Sequence, residues 1–210
     1  MEFTGEIETH FTVHLNETKS IAELQTWGAA HSLKCLHIIL EQGSVTSQPM
    51  LTKRASSILS DELAAAHRLK ELLISQGFPV LRVKIEAAPW NEDVPQSTAE
   101  AIEQSPERYF ESHIRILCGK EADNSELIEA VTPHSAHLSR NALRRRADDS
   151  EERFVTQRSS KVGFAESRSR LNALLRTIRI LGYTVIDVEE EYVVYDSNLE
   201  IDAGWIQTKQ

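Results

Sequence analysis

The feature that most constrains the fold is an internal repeat about half as long as the chain. Gly77-Phe78-Pro79-Val80 follows a leucine-rich helical pattern, and Gly182-Tyr183-Thr184-Val185 follows a similar pattern 105 residues further on. Near the front of each half, Glu8-Thr9-His10-Phe11 aligns with Glu111-Ser112-His113-Ile114 at a spacing of 103 residues. Two matches in the same order at nearly the same spacing indicate a duplicated structural unit.

Local patterns predict similar elements in both halves. Alternating apolar and polar residues predict strands, and apolar residues three or four apart predict amphipathic helices. In the first half, the predicted strands are 7–15, 36–40 and 81–87, and the helices run from Ile21 to about His31 and from Leu59 to a glycine cap at Gly77. In the second half, the strands are 110–116, 153–158 and 185–195, with one helix opening at Asn124 and another spanning 164–181. The segment 43–57 is predicted to be a long polar loop.

These elements predict an α+β fold. Parallel strands joined through helices need right-handed crossovers, so both helices of a unit lie on the same face of its sheet. We therefore expect a tandem duplication of a βαβαβ ferredoxin-like unit: two small sheets, helices on one face of each, and a cleft between the halves. A fourth strand is expected in each unit; Pro49-Met50-Leu51 and the residues near Val193-Val194 are candidates for parts of it, but its position is not assigned. Residues 1–90 form the first repeat, 91–107 a linker, 108–195 the second repeat, and 196–210 a C-terminal tail with Trp205 as an apolar anchor.

Charge and cysteine content narrow the class of protein. The chain has 23 Lys and Arg against 32 Asp and Glu, a formal charge of −9, which argues against a surface that coats nucleic acid. Two cysteines, Cys35 and Cys118, provide neither a disulfide framework nor a zinc set. The first residues have no apolar run, and no stretch is apolar enough to cross a membrane. A cytoplasmic location is expected.

The residues with the most chemistry lie on the polar faces of the predicted strands. The candidates for catalysis are the strand histidines His10, His37 and His113. The candidates for ligand binding are Thr12, Lys84, Glu86, Arg115, Arg158 and Glu191. Imidazoles and carboxylates on neighbouring strands suit acid–base catalysis. A solvated polar sheet face and structural ion pairs at the join remain the alternatives.

The sequence requires no cofactor, and no metal-binding motif with fixed spacing is present. A metal ion is an alternative use of the strand histidines, because histidine and glutamate together ligate zinc and similar ions. The two candidate sets are His10, His37 and Glu86, and His113 with Glu111 and Glu191.

One short motif resembles a known family. His10-Phe11-Thr12 is similar to the His-x-Thr motif of the 2H phosphoesterases, the LigT-like group, which are built from two similar lobes around a cleft. The resemblance implies that the histidines act as general acid and base and that the hydroxyls hold a phosphate. The second position reads His113-Ile114-Arg115, where an arginine replaces the hydroxyl; arginine also binds phosphate. The chain as a whole looks like an uncharacterised family of duplicated ferredoxin-like proteins.

Basic residues on inward faces of an acidic protein predict an anionic ligand. We expect the protein to bind or hydrolyse a small phosphate-bearing molecule between two similar lobes, and the sequence leaves open whether it is an enzyme. The alternative is a non-catalytic protein-interaction module, or a homodimer, that uses the open sheet faces.

Overall fold

Each half of the chain forms the same six elements in the same order: strand, helix, two strands, helix, strand. A computed structural model describes residues 1–119, 123–144 and 150–205. The first half consists of β1 (Gly5–Val13), α1 (Ile21–Ala30), β2 (Lys34–Leu40), β3 (Ser47–Ser57), α2 (Leu59–Ser75) and β4 (Val80–Ala87). A short helix, α3 (Thr98–Ile102), follows. The second half consists of β5 (Tyr109–Gly119), α4 (Ser125–Val131), β6 (Ala136–Asn141), β7 (Ser150–Ser160), α5 (Phe164–Ile180) and β8 (Thr184–Asp196). Single 3₁₀ turns lie at Thr132–His134 and Leu199–Asp202.

The eight strands form one closed antiparallel barrel in the order β1-β3-β2-β6-β7-β5-β8-β4. Within each half the strand order is the same, β4-β1-β3-β2 and β8-β5-β7-β6. The halves are joined where β2 pairs with β6 and β4 pairs with β8. The prediction of two separate sheets around a cleft is therefore wrong. Each half alone would leave two edge strands with unpaired backbone groups, and edge-to-edge pairing satisfies them.

Each half has the element order βαββαβ rather than the predicted βαβαβ. The additional strands are β3, which lies in the segment predicted to be a polar loop, and β6. In β3, Met50 points inward and Lys53 outward, which interrupts the alternation of apolar and polar residues. β6 contributes only Ala136 and Leu138 to the outer apolar core, so its pattern is too short to predict a strand.

Apolar residues cover the outside of the barrel beneath the helices. The core of the first half includes Phe11, Leu24, Leu51, Leu73 and Ile85. The core of the second half includes Ile114, Leu127, Val155, Leu171 and Ile178. Since successive strand residues point to opposite faces, the residues between these positions point into the barrel, and most of them are polar. The barrel is therefore apolar outside, under its helices, and charged inside.

The ends of the two long helices support the predicted repeat. Gly77 follows α2 with φ +82, and Gly182 follows α5 with φ +83. This left-handed backbone favours glycine and ends both helices at equivalent points. Ser20 and Glu23 form the capping box that begins α1.

The segment predicted to be a linker, 91–107, packs against the first half. The Asn91 amide donates to the carbonyl oxygens of Phe3 and Glu6, and Val94 belongs to the first apolar core. None of the described helices combines the length and the apolar character needed to span a bilayer.

The C-terminal tail closes one end of the barrel. Asp202 accepts hydrogen bonds from Gln48, Arg82 and Arg158, at the end where β3 and β4 begin and β7 finishes. Trp205 is 5% exposed, and its indole Nε1 donates to the carbonyl oxygen of Leu138. The tail therefore packs as the sequence predicts, with Trp205 as an anchor, while 206–210 lie outside the described residues. At the opposite end, where β1 begins and β3 and β4 finish, the described residues leave a cavity, and this end is called the accessible end.

Candidate functional site

A set of five residues of the same types occurs twice inside the barrel, once in each half. Each half places a histidine opposite a threonine, and a glutamate opposite both an arginine and a second glutamate. The first set is Glu8, His10, Thr52, Arg54 and Glu86, and the second is Glu111, His113, Thr156, Arg158 and Glu191. The two sets are related by spacings of 103 to 105 residues. The spacing found in the sequence therefore also relates the side chains that line the interior.

The two histidines are held in the same way. Nδ1 of His10 lies 2.8 Å from Thr52 Oγ1, and Nδ1 of His113 lies 2.9 Å from Thr156 Oγ1. In each ring, Nε2 faces a carboxylate oxygen. Nε2 of His10 lies 2.6 Å from Glu86 Oε2. The threonine hydroxyl thus orients each ring so that its other nitrogen meets the acidic groups of the interior.

The second histidine has looser acidic partners than the first. Nε2 of His113 lies 3.2 Å from Glu111 Oε1 and 3.6 Å from Glu191 Oε2. Only the first of these distances approaches a hydrogen bond. The space between His113 and Glu191 is therefore wider than the matching space between His10 and Glu86.

The inward-facing bases that the sequence assigned to ligand binding are paired with carboxylates. Lys84 Nζ lies 2.7 Å from Glu86 Oε1 and 3.0 Å from Glu111 Oε1. Arg158 Nε donates to Glu111 at 2.7 Å, and its Nη2 donates to Asp202 at 2.6 Å. The same holds at the barrel ends, where Arg82 pairs with Asp196 and Asp202, and Arg115 pairs with Asp187 and Glu152.

This pairing divides the interior carboxylates into two kinds. Burial alone would raise the pKa of Glu111, but Arg158 and Lys84 hold it well below its ordinary value. Glu86 shifts the same way against its own burial, because of Lys84 and His10. Burial raises the pKa of Glu191 well above its ordinary value, and the nearby Glu86, Glu189 and Glu8 add to the shift. Glu191 is therefore a buried carboxylate without a matching base.

A cavity of about 480 Å³ opens at the accessible end of the barrel. Its lining is acidic: Glu6, Glu8, Glu86, Glu189, Glu190 and Glu191. The one base among the lining residues is Arg54, which already pairs with Glu8 and Glu189. Ile7, Ala55, Ala88 and Val188 form apolar parts of the wall, and Trp90 stands at the rim with 70% of its surface exposed.

The structure brings together most of the predicted site residues. His10, Lys84, Glu86, His113, Arg158 and Glu191 form one connected group, linked through Glu111. Thr12 is buried opposite Arg82, toward the closed end. Arg115 faces the interior opposite Asp187, outside the connected group.

His37 does not join the site, which corrects its assignment as a catalytic candidate. It lies opposite Pro49 in β3, whereas the interior position on that strand is Thr52, three residues away. Alternation along the strand therefore places His37 on the outer face. There its Nε2 lies 2.9 Å from Ser47 Oγ. The sequence assigned β2 to the wrong position because β3, which separates it from β1, was read as a loop.

Sequence reasoning overlooked the two threonines that orient the histidines. Thr52-Lys53-Arg54 and Thr156-Gln157-Arg158 form a Thr-x-Arg repeat at a spacing of 104 residues. This spacing lies between the two spacings already recognised, so the signal was present in the sequence. Asp202 was also missed, since only the folded tail brings it beside Arg82 and Arg158.

Two groups of side chains have a geometry suited to a metal ion. One ligand atom each from Glu86, His113 and Glu191 lies within 4.8 Å of the others, and the same holds for Glu8, Glu189 and Glu191. The first group differs from both sets predicted from the sequence. His37 is excluded by its position on the outer face, and Glu86 takes the place of Glu111, which is bound to Lys84 and Arg158.

Comparisons with known proteins identify no family. No family model matches the chain, and no curated protein matches it. Solved structures of chlorite dismutase from Candidatus Nitrospira defluvii are similar: the complex with imidazole is 12% identical, covers 90% of this chain and 91% of that chain, and gives a TM-score of 0.32. An arginine variant of that enzyme is 14% identical, covers 95% and 93%, and gives 0.31. These matches are not 2H phosphoesterases, and at such TM-scores they carry no argument about function.

Proposed function

We propose that the protein binds a small, positively charged organic molecule in the cavity at the accessible end of the barrel. The observation that carries this proposal is the lining, which holds six glutamates and one arginine, Arg54, that pairs with Glu8 and Glu189. Lys84 and Arg168, outside the lining, pair with Glu86 and Glu190, so six carboxylates face three cations. A concave site lined by one sign of charge concentrates ligands of the opposite sign.

The size and the apolar parts of the cavity suit a small organic cation. A volume of about 480 Å³ falls in the range of small-molecule sites. The wall between the glutamates includes Ile7 and Val188, which can contact a hydrocarbon chain. Trp90 offers an exposed indole face at the rim, and indole faces attract ammonium groups. An alkyl amine or diamine combines these features.

The anionic ligand expected from the sequence is the second candidate. It has one feature in its favour, since Arg54 lies at the cavity with its side chain 65% exposed. The deeper bases Arg82, Lys84 and Arg158 each hold carboxylates, so an anion would have to displace those partners. The interaction-module alternative loses the open sheet faces it requires, because those faces line the barrel interior.

The matching registers of the two halves also support a tandem duplication of a ferredoxin-like unit as the origin of the site. The paired positions of the histidines and threonines agree between β1–β3 and β5–β7. An acidic mouth then arises where the second copy differs from the first: Glu189 occupies the position equivalent to Lys84.

Calorimetric titration at fixed ionic strength tests the charge of the ligand. The panel is an alkyl diamine, a polyamine, inorganic phosphate and a nucleotide. We expect heat of binding with the amines, and a thermal stabilisation of about 2.7 kcal/mol at a hundredfold excess over the dissociation constant. Glu189→Gln should weaken amine binding. Glu62→Gln is the matched control, because that buried glutamate pairs with Lys53, outside the cavity.

Two outcomes would contradict the proposal. Binding of phosphate or nucleotide without any binding of amines would make the site anionic in preference. Amine binding that Glu189→Gln leaves unchanged would place the amines elsewhere on the acidic surface.

A further inference from the structure

We propose that Glu86, His113 and Glu191 form a binding site for a divalent transition-metal ion, such as Zn²⁺ or Mn²⁺, inside the barrel. The three residues lie on the adjacent strands β4, β5 and β8. One ligand atom from each lies within 4.8 Å of the others. Ligand atoms about 2.0–2.2 Å from a shared ion fit within that separation after small side-chain adjustments.

Glu191 is the first independent sign that something binds here. It is 8% exposed, and among the residues that the structure describes it accepts no hydrogen bond. Its nearest partner of opposite charge is His113 Nε2, at 3.6 Å. Buried carboxylates are normally paired, hydrogen-bonded or bound to metal, so an ion supplies what the protein does not.

Glu86 offers a second free ligand atom. Its Oε2 is bound to His10, but its fully buried Oε1 accepts no hydrogen bond. Lys84 Nζ lies 2.7 Å from Oε1 in an orientation unsuited to a hydrogen bond, and the same ammonium also contacts Glu111. The Oε1 atom therefore has a lone pair available for an ion.

His113 is oriented as a metal-binding histidine. When Nδ1 donates to Thr156 Oγ1, at 2.9 Å, Nε2 turns its lone pair toward Glu111 and Glu191. A lone pair facing carboxylates is repelled unless a proton or a metal ion lies between them. A hydrogen bond on the distal nitrogen is also the usual way in which proteins fix the tautomer of a metal-bound histidine.

The residues around this site carry an excess of negative charge that a divalent cation would offset. The carboxylates Glu8, Glu86, Glu111, Glu189 and Glu191 outnumber the permanent cations that reach them, which are Arg54, Lys84 and Arg158. Arg158 is moreover shared with Asp202.

The donor set selects the class of ion. One imidazole nitrogen with two carboxylates favours Zn²⁺, Mn²⁺ or Fe²⁺ over Mg²⁺ and Ca²⁺, which prefer oxygen alone. Three protein ligands leave a coordination position free for water or substrate. Since Glu86 and Glu191 also line the cavity, that position is accessible from it.

The metal site goes beyond the proposed function, with which it shares Glu86 and Glu191. Its test is a titration of the metal-stripped full-length protein with Zn²⁺ by calorimetry, and with Mn²⁺ by electron paramagnetic resonance. We expect one ion per chain, and loss of that binding in His113→Gln and in Glu191→Gln. Thr156→Val, which removes only the hydroxyl on Nδ1, should weaken binding about 10- to 100-fold. Glu62→Gln should bind as the wild type does, and a thermal melt of each variant verifies folding.

The outcomes separate the two proposals. If the wild type binds no ion, the metal proposal is overturned, whether or not amines bind. If ions bind equally well to His113→Gln and Glu191→Gln, they bind elsewhere and the proposal fails. Ion binding as described without any amine binding supports the metal site and contradicts only the organic ligand.

Discussion

At the scale of single residues, the two copies of the repeat differ most in the surroundings of their second glutamate. Glu86 lies near the ammonium of Lys84, while the position equivalent to Lys84 in the second half is Glu189. Lys84 therefore helps to lower the pKa of Glu86, whereas Glu189 helps to raise the pKa of Glu191, the residue at the equivalent position. The exchange of a lysine for a glutamate at this one position leaves the surroundings of Glu191 short of positive charge.

Glu191→Gln should stabilise the metal-free protein at pH 7, by on the order of 1 kcal/mol, because burial and nearby carboxylates oppose the ionisation of Glu191 in the folded state only. The same substitution at Glu111, the other glutamate of the second set, should destabilise the protein by about 3–5 kcal/mol, since Arg158 and Lys84 lose a shared partner. Urea denaturation in the presence of a chelator measures both. A Glu191→Gln protein less stable than the wild type would contradict this account of the interior.

At the scale of elements, the strands and helices that were predicted correctly are those with an apolar face packed against another element of the outer core. The helices α1, α2 and α5 and the strands β1, β4, β5 and β8 fall within a few residues of their predicted positions, since their periodicity reflects one apolar core. The strand β3 was missed because Met50 points into the interior and Lys53 points outward, which interrupts the alternation that identified β1. The equivalence of His10 and His113 was predictable from the repeat. The pairing of the inward-facing arginines and lysine with carboxylates was not predictable, because it depends on strand register and on the position of the tail.

The contact between β6 and the tail should make the protein sensitive to acid. Burial, and secondarily the charge of Arg158, lowers the pKa of His137 to about 4. His137 also packs against the Trp205 ring, 5.9 Å away. Because the folded-state pKa lies below the ordinary value near 6.5, the folded state binds the proton less readily than the unfolded chain. The resulting stability is fully present above pH 6.5 and is lost as the pH falls toward 4.

His137→Gln should remove this part of the acid sensitivity. The wild type should lose more stability than the variant between pH 7 and pH 4, because only the wild type has to protonate this ring. Denaturation curves at several pH values measure the difference, which isolates His137 from the carboxylates that titrate in both proteins. Parallel stability profiles for the two proteins would show that His137 is not the group responsible.

At the scale of the whole molecule, the barrel closes through strands that are equivalent in the two halves. β2 pairs with β6, and β4 pairs with β8, all antiparallel. Each partner is the repeat equivalent of the other, so the join has the form of a two-fold symmetric contact. A single half carries both edges of that contact.

A fragment of residues 1–90 should therefore assemble as a dimer rather than remain a folded monomer. Two copies can pair β2 with β2 and β4 with β4, and enclose the charged face that a monomer would leave beside unpaired edges. Analytical ultracentrifugation together with circular dichroism measures both size and folding. A folded monomer at micromolar concentration would contradict the symmetric join.

Asp202 and Trp205 pack at one end of the barrel, and the cavity opens at the other, with Glu86 and Glu191 in its lining. Among the described residues, a molecule bound in the cavity would therefore lie between solvent and these two inner carboxylates. An ion seated at Glu86, His113 and Glu191 would then be loaded before an organic molecule fills the mouth. Its residence time would be set by the departure of that molecule, so occupancy of the outer chamber would govern how long the inner one stays filled.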